Sequence, residues 1–453
     1  MTRFKPNKRS AGLARLFSVF AAVTVLLVPA AARAAIDGVT GPSFSLSARA
    51  GYISIADGGS HYSWGYTTGS TMQLPGPTLI VTAGDTVTVT LTNALPAAAG
   101  NVSIVFPGHT LTTTTGGVPG LLTQEAPPGG SVQYTFMASE PGTYQYHSGT
   151  RPDLQVEMGL YGALIVRPSA AAAGCVDADH TAYNHAATCF DREYLYLLSE
   201  VDLEVHRAAE LQASEPGPIE VGDGPFRPEY WLLNGRAAPD TMAAAGDPLL
   251  LSQPYNAMTR MHPGERLLMR VVGAGRDMHP FHHHGNHARV LARDGRLLLS
   301  ETDSTQLAGP LLFTIPSVPG GTVDAVFEWT GKDLGWDIYG TTDINPHTCT
   351  PDADGYHSVA LDPNYREWCA DHDREIPVTL PDLSVLAFGG FYSGSPYLGA
   401  LGSLPPGEGG LNPDAGFAYM WHSHTEREMV NNDVFPGGMM TMLIVEAPGV
   451  TID

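Results

Sequence analysis

The chain has 453 residues, of which 46 are acidic and 24 are basic, so its formal net charge is −22. This charge argues against nucleic acid and anionic membrane surfaces as partners. A hydrophobic content of 43% excludes global disorder. With 51 glycines, 36 prolines and only 15% charged residues, the composition favours a turn-rich β protein over a helical bundle, and the length suits two or three domains.

The first 34 residues have the pattern of an export signal. Residues 1–34 contain six basic residues and no acidic one, an apolar run extends from about Leu16 to Ala32, and small residues flank Arg33. We predict a cleavable signal peptide and a periplasmic or secreted protein. An uncleaved membrane anchor is the alternative, because the run is near the shortest length that spans a bilayer. Both the general secretory and the twin-arginine route are open. No membrane span is expected after cleavage.

The next segment, residues 41–168, is predicted to form an antiparallel β-sandwich. Residues 86–92 and 131–136 alternate between polar and apolar side chains, and glycine- and proline-rich turns separate such runs. Alternation with a period of two is typical of half-buried strands. An alanine-rich linker at 169–191 follows.

Residues 192–448 are predicted to form a second β domain. Apolar runs at 194–198, 230–233 and 265–272 indicate strands, and residues 201–213 could form one short helix. Between 331 and 418 the strand pattern stops, which predicts an insertion with some structure of its own, because structureless loops of this length are uncommon inside a domain. A strand at 439–445 closes the domain.

The four cysteines form two pairs around polar loops. Cys175 and Cys189 lie in the linker, and Cys349 and Cys369 lie in the insertion. In an exported chain, disulfides are the expected state of such pairs. A thiolate metal site is the alternative, but no cysteine stands in a C-x-x-C motif or beside a histidine cluster.

Histidines are concentrated where strands are expected to end. Residues two apart on a strand share one face, so His282 and His284 project together, as do His422 and His424. Two such pairs brought together present four imidazoles, a donor set that suits copper, zinc, iron or nickel. Solvated or core histidines are the alternative for either pair alone. His147, after a predicted strand, adds a fifth candidate.

Short motifs in a fixed order resemble those of the multicopper oxidase family, the superfamily of laccases and copper nitrite reductases. Each motif is weak alone, but together they are specific, and they extend over most of residues 44–447. In chain order they are 116–120 (GGVPG), 142–148 (GTYQYHS), 158–166 (MGLYGALIV), 279–285 (HPFHHHG) and 422–428 (HSHTERE). The resemblance implies an all-β fold of two cupredoxin-like Greek-key β-sandwich domains, the second with a long, loop-rich insertion.

The resemblance also implies a copper ligand set. One further histidine, His279, matches a ligand of the family's type 1 copper, the blue copper where substrate electrons enter. The position of the family's first H-x-H motif is occupied by residues 105–108 (VFPG), which contain no histidine. Two histidines are candidate substitute ligands, His109 and His287. Glu428 could hold a separate hard-metal site together with His279 and Ser423, and a salt link from Glu428 to Arg427 or another arginine is the alternative. The retained ligands implied for the copper cluster are His147, His282, His284, His422 and His424.

The type 1 site departs from the family pattern. Blue copper requires a cysteine thiolate, and the corresponding residue is Ser423, while Glu428 occupies the place of a second histidine. We therefore expect one or two copper ions rather than four, and no ordinary laccase cycle.

The function predicted from these motifs is an exported copper-dependent oxidoreductase acting on a small molecule or a metal ion. A non-catalytic copper-binding or copper-tolerance protein is one alternative, and a structural relic of the family is another. The resemblance further suggests a homotrimer. His283 is expected on the opposite strand face, as a group behind the ligands or in solvent. The remaining histidines are expected at the surface, namely His61, His180, His185, His206, His262, His347, His357 and His372.

Overall fold

A computed structural model describes residues 36–222, 224–343, 345–377, 394–395, 417–446 and 450–452. The predicted signal peptide and most of the second half of the predicted insertion lie outside these residues. The described part of the chain is an all-β structure with two helices, as predicted. Among its residues, no helix has the length and apolar character needed to cross a membrane.

The first sandwich pairs a five-stranded sheet with a four-stranded sheet. Along Thr86–Asn93 the valine and leucine side chains are buried and the threonines face outward, which is the alternation read from the sequence. In spatial order, the larger sheet contains Ser60–Thr67, Ser43–Ser54, Thr86–Asn93, Ser131–Met137 and Leu111–Gly116. The smaller sheet contains Val39–Thr40, Leu79–Thr82, Tyr161–Arg167 and Gly142–His147, and a separate ribbon pairs Val118–Pro119 with Gln124–Glu125.

The second sandwich contains a seven-stranded and a six-stranded sheet around an aromatic-rich core that includes Phe281, Phe327 and Trp421. One sheet runs Tyr230–Leu233, Arg192–Val201, Arg266–Gly273, Thr322–Glu328, Ala288–Arg293 and Arg296–Leu297, with Leu311–Leu312 beside the fifth strand. The other runs Thr259–Met261, Met440–Val445, Phe417–Ser423, His279–His283 and Thr314–Ser317, with Gly394–Ser395 beside the third strand.

Helices are few and short. The predicted helix is confirmed as Leu203–Gln212, and it begins where the Asp202 side chain accepts a hydrogen bond from the backbone N–H of Glu204. The other α-helix is Pro152–Gln155. Single 3-10 turns occur at Ala97–Ala99, Ala178–His180, Ala186–Thr188, Asp240–Met242, Cys369–Asp371 and Glu426–Met429.

A third apolar cluster joins the two sandwiches. It packs Ile53 and Tyr161 of the first against Leu197 and Leu232 of the second. Buried polar contacts add to it, since the Thr143 hydroxyl donates to Asp324 at 2.6 Å. The strand Gly142–His147, which ends at a predicted ligand, is therefore held against the second sandwich at its beginning.

Both predicted disulfides are confirmed. Cys175 is bonded to Cys189 with a Cα–Cα distance of 5.1 Å, and Cys349 is bonded to Cys369 with a Cα–Cα distance of 5.5 Å. These bonds use all four cysteines of the chain. The alternative of a thiolate metal site is therefore wrong.

Candidate metal centre

Two adjacent antiparallel strands carry the histidine pairs. His279–His283 pairs with Phe417–Ser423 so that His282 lies directly opposite His422. Side chains alternate along each strand, so the neighbouring positions His283 and Trp421 point to the other face, into the core. The register thus collects the imidazoles on one side and the aromatic packing on the other. The Trp421 indole N–H also donates to the carbonyl of His284 at 2.9 Å, which fixes the end of that strand.

Three imidazoles converge closely. One nitrogen from each of His282, His284 and His422 lies within 4.8 Å of the other two, and the Nε2 atoms of His284 and His422 are 3.2 Å apart. The side chains are nearly enclosed, with exposures of 2%, 7% and 6%, respectively. His424 completes the group on the solvent side, with its ring centre 4.7 Å from that of His282. The four predicted neighbours are therefore brought together.

Hydrogen bonds orient the rings. His422 Nδ1–H donates to the carbonyl of Ser423 at 2.7 Å, so the lone pair of the neutral ring is on Nε2. His282 Nδ1 lies 2.9 Å from the Thr314 hydroxyl. Partners of this kind on the distal nitrogen are usual for metal-binding histidines because they set the tautomer and the ring orientation.

The electrostatics of the group favour neutral rings. Burial, followed by the neighbouring imidazoles, lowers the pKa of His282 to about 3. Burial also lowers the pKa of His422 to about 4, with a smaller contribution from His284 and His424. Deprotonated imidazoles are the form that binds metals. Imidazole nitrogens that converge on one point fit copper, which suits imidazole ligands.

His147 lies apart from this group. It ends the strand Gly142–His147 in the first sandwich, is half-buried, and donates from Nδ1 to the carbonyl of Ser148 at 2.9 Å. Burial lowers its pKa. Its Nε2 is thus prepared in the same way as that of His422, but within one chain His147 makes no hydrogen bond or ring contact with the described side chains of the four clustered histidines.

The substitute ligands are not brought into the cluster within one chain. The ring of His109 packs on Tyr144, with ring centres 4.4 Å apart. His287 packs on Phe313, which also contacts His282. His283 lies on the opposite strand face as expected, but it is fully buried against Trp421 and Phe327 rather than solvated.

The residues at the type 1 position form an ionic cluster. Both nitrogens of His279 contact carboxylates: Nδ1 lies 2.9 Å from Glu428 and Nε2 lies 2.8 Å from Glu200. Ser423 donates its hydroxyl to the same Glu428 oxygen at 2.5 Å. Burial disfavours the charged ring, but the hydrogen bonds and charges of the two glutamates prevail and raise the pKa of His279 to about 9.

A protonated imidazole that donates from both nitrogens has no lone pair for a metal. Both nitrogens of His279 are paired with carboxylates in this arrangement, so its role as the copper ligand that the motif implied stays a prediction. Glu428 pairs with His279 rather than with an arginine. Sequence reasoning missed Glu200, which lies 79 positions before His279. The available signal was a glutamate that follows the apolar run 194–198 in the strand Arg192–Val201.

A second group of candidate ligands lies in the insertion. One atom from each of Asp337, His347, Glu367 and His372 lies within 4.8 Å of the others. The expectation that all remaining histidines are at the surface was therefore wrong for His347, and His206 and His357 are buried as well. The sequence spacing of the four candidate ligands matches no metal-binding motif, so only the fold reveals this group.

Comparison with known proteins identifies relatives of part of the chain. Residues 52–171 match the family described as Multicopper oxidase. A multicopper oxidase of Talaromyces pinophilus is 42% identical over 98 residues, which is 21% of this chain and 15% of that protein. Laccase 1 of Metarhizium acridum is 32% identical over 173 residues, 37% of this chain and 24% of that protein. Copper resistance protein A of Pseudomonas syringae pv. tomato is 42% identical over 93 residues, 20% of this chain and 14% of that protein.

Solved structures support the fold over nearly the whole chain. Multicopper oxidase mgLAC aligns with a TM-score of 0.52 at 18% identity, covering 91% of this chain and 87% of its own. The blue copper oxidase of Nitrosomonas europaea aligns with a TM-score of 0.51 at 19% identity, covering 88% and 85%. The curated relatives named above are matched over less than a quarter of their own length.

Proposed function

We propose that this chain, which belongs to the multicopper oxidase family of cupredoxin proteins, is a copper-binding oxidoreductase with a reduced histidine centre. Its ligands are His282, His284, His422 and His424, completed by His147. The observation that carries the proposal is the convergence of three buried imidazoles within 4.8 Å, with a fourth ring beside them. Such a set is costly to assemble in an apolar setting without a cation, because each ring nitrogen loses hydration.

The donor count supports one or two ions. At the position of the family's first H-x-H motif, Phe106 is buried and packs on Phe136, with ring centres 4.7 Å apart. Beside His147, a side chain at Gly149 would meet Val105 at 2.7 Å, so a second histidine does not fit this backbone. The ligands that a third ion would need are therefore missing.

We propose that the centre has no blue copper. All four cysteines are in disulfides, so the chain offers no thiolate. Ser423 replaces the cysteine, and the protonated His279 between Glu200 and Glu428 occupies the neighbouring position with its own positive charge.

Bound copper would supply one-electron chemistry toward oxygen or another small oxidant. The residues of the chain orient the imidazoles through Ser423 and Thr314, and burial keeps His282 and His422 neutral, while His283 and Trp421 exclude water behind the strands. The exposed His424 leaves the outer side open to a small molecule or a metal ion. We propose both this class of substrate, a small molecule or a metal ion, and its catalytic turnover.

The separation of His147 from the other ligands supports assembly between chains. Its Nδ1 is bonded to the Ser148 carbonyl, which orients the ring for metal binding through Nε2, and among the described residues it makes no hydrogen bond or ring contact with the clustered histidines of its own chain. We propose a homotrimer in which His147 of one chain completes the centre of the next. The two disulfides fit an oxidising compartment, which supports export, either to the periplasm or out of the cell.

Metal analysis and oxygen uptake test the proposal. We expect about one or two copper ions per chain, detected by elemental analysis and by the electron paramagnetic resonance of Cu²⁺. His422→Ala should lose that copper. The control His185→Ala changes a half-exposed histidine of the linker between the two sandwiches and should retain the copper. Wild-type protein without stoichiometric copper, or unchanged copper in His422→Ala, would refute the ligand set.

The similarity to copper resistance protein A favours a second candidate, copper tolerance or delivery without turnover. Oxygen uptake with phenols, Cu⁺ or Mn²⁺ as electron donors separates the two functions. Uptake that His422→Ala abolishes supports the oxidoreductase, and stoichiometric copper without uptake supports the binding protein.

A further inference from the structure

We propose that the insertion contains a second metal site, separate from the histidine centre, in which Asp337, His347, Glu367 and His372 bind one structural Zn²⁺. Asp337 and His347 belong to the first half of the stretch 331–377, and Glu367 and His372 belong to its second half. Two imidazoles and two carboxylates are established zinc donors.

The distances between the side chains match the edges of a coordination tetrahedron. His347 Nε2 lies 3.4 Å from Asp337 Oδ2 and 3.3 Å from Glu367 Oε2. His372 Nδ1 lies 3.5 Å from the same Asp337 oxygen. Zinc bonds of ~2.0–2.1 Å to nitrogen and oxygen in tetrahedral geometry would separate their ligands by about 3.3–3.4 Å. These three contacts are longer than good hydrogen bonds, whereas the fourth contact, between His372 Nδ1 and Glu367 Oε1, is a hydrogen bond of 2.7 Å.

The tautomer of His347 points to the ligand. Its Nδ1–H donates to the carbonyl of Asn345 at 2.5 Å, so the lone pair of the neutral ring is on Nε2. That Nε2 is buried, has no hydrogen-bond partner among the described residues, and faces two carboxylates, while the side chain is 7% exposed. A lone pair facing carboxylate oxygens is repulsive, and either a proton on the ring or a cation between the side chains relieves this repulsion. Without a metal ion, Asp337 and Glu367 raise the pKa of His347 to about 10 against the opposing effect of burial.

The carboxylates are oriented by the surrounding chain. Asp337 accepts hydrogen bonds from the backbone N–H groups of Tyr339 and Asp373, at 2.9 and 2.8 Å. Glu367 accepts one from the Asn364 side chain. Asp337 and Glu367 are almost fully buried, with side-chain exposures of 0% and 2%. Two buried carboxylates and a divalent cation balance in charge, with both histidines neutral.

A structural role follows from the position of the site. Residues 331–377 contain little regular structure in their described part: one 3-10 turn at Cys369–Asp371 and isolated bridges. The disulfide Cys349–Cys369 ties the same two stretches that the proposed ligands tie. A metal and a disulfide together replace the backbone pairing that a long insertion otherwise lacks.

The test uses the full chain, purified from zinc-supplemented medium. We expect one zinc per chain by elemental analysis in the wild type and in His422→Ala, which lacks a ligand of the histidine centre, so this result is independent of the proposed copper function. Asp337→Asn should lose zinc. The matched control is Asp343→Asn, at an exposed carboxylate of the same insertion, which should keep it.

A second measurement does not depend on variants that fold. Removing zinc from the wild type with a chelator should lower its melting temperature, and adding Zn²⁺ should restore it. Replacement by Co²⁺ should give the visible absorption bands of a tetrahedral ion. Wild-type protein with little zinc and a melting temperature unaffected by the chelator would overturn the proposal, because the four side chains would then be held by a proton on His347 alone.

Discussion

Glu428→Gln tests the buried ionic cluster that replaces the type 1 site. The substitution keeps the size of the side chain but removes one of the two charges that stabilise protonated His279. The increase of the His279 pKa from 6.5 to about 9 corresponds to about 3 kcal/mol of stabilisation by folding. Glu200 remains in the variant, so we expect a loss of about 2 kcal/mol in the free energy of unfolding near pH 6.

The pH dependence has a definite sign. The folded-state pKa of His279 is raised, so its stabilisation is fully present below about pH 6.5 and is lost as the pH rises through about 9. The difference in unfolding free energy between wild type and Glu428→Gln should therefore shrink between pH 6 and pH 9.5.

Urea unfolding at several pH values measures this difference, with Glu426→Gln as the control. Glu426 is exposed in the same 3-10 turn, Glu426–Met429, and its substitution should leave the unfolding free energy within about 0.5 kcal/mol of the wild type. If Glu428→Gln behaves like Glu426→Gln at every pH, His279 is not held protonated and the reasoning fails.

Three further predictions concern the histidine centre. The pKa values of His282 and His422 are lowered to about 3 and about 4, so bound copper should persist at pH 5 and be released only as these rings protonate. Equilibrium dialysis between pH 6 and pH 3 measures the bound copper, and release already at pH 6 would contradict the prediction. Ser423→Cys alone should not produce a blue absorption band with Cu²⁺, since His279 remains paired with two glutamates; an intense band would show that the site can be rebuilt by one change. Mixing His147→Ala chains with His422→Ala chains should recover part of the copper that each variant alone lacks. Light scattering should give the mass of a trimer. Monomers with full copper would exclude a centre shared between chains.

Much of the fold followed from local pattern. Alternation at 86–92 predicted the strand Thr86–Asn93 because a half-buried sheet sorts neighbouring side chains onto opposite faces. The same periodicity correctly placed His282 and His284 on one side and His283 on the other. The cysteine pairs were also correctly read, since each closes a short loop of the chain.

The sequence by itself determined which side chains share a strand face, and with that the histidine pairs and the absence of a cysteine between His422 and His424. Only the tertiary structure decided which charges meet. Glu200 comes to His279 from a strand of the opposing sheet, and Asp337 meets His372 across the insertion. The physical reason is that periodicity acts between neighbours, whereas a buried charge finds its partner wherever packing brings the chain together.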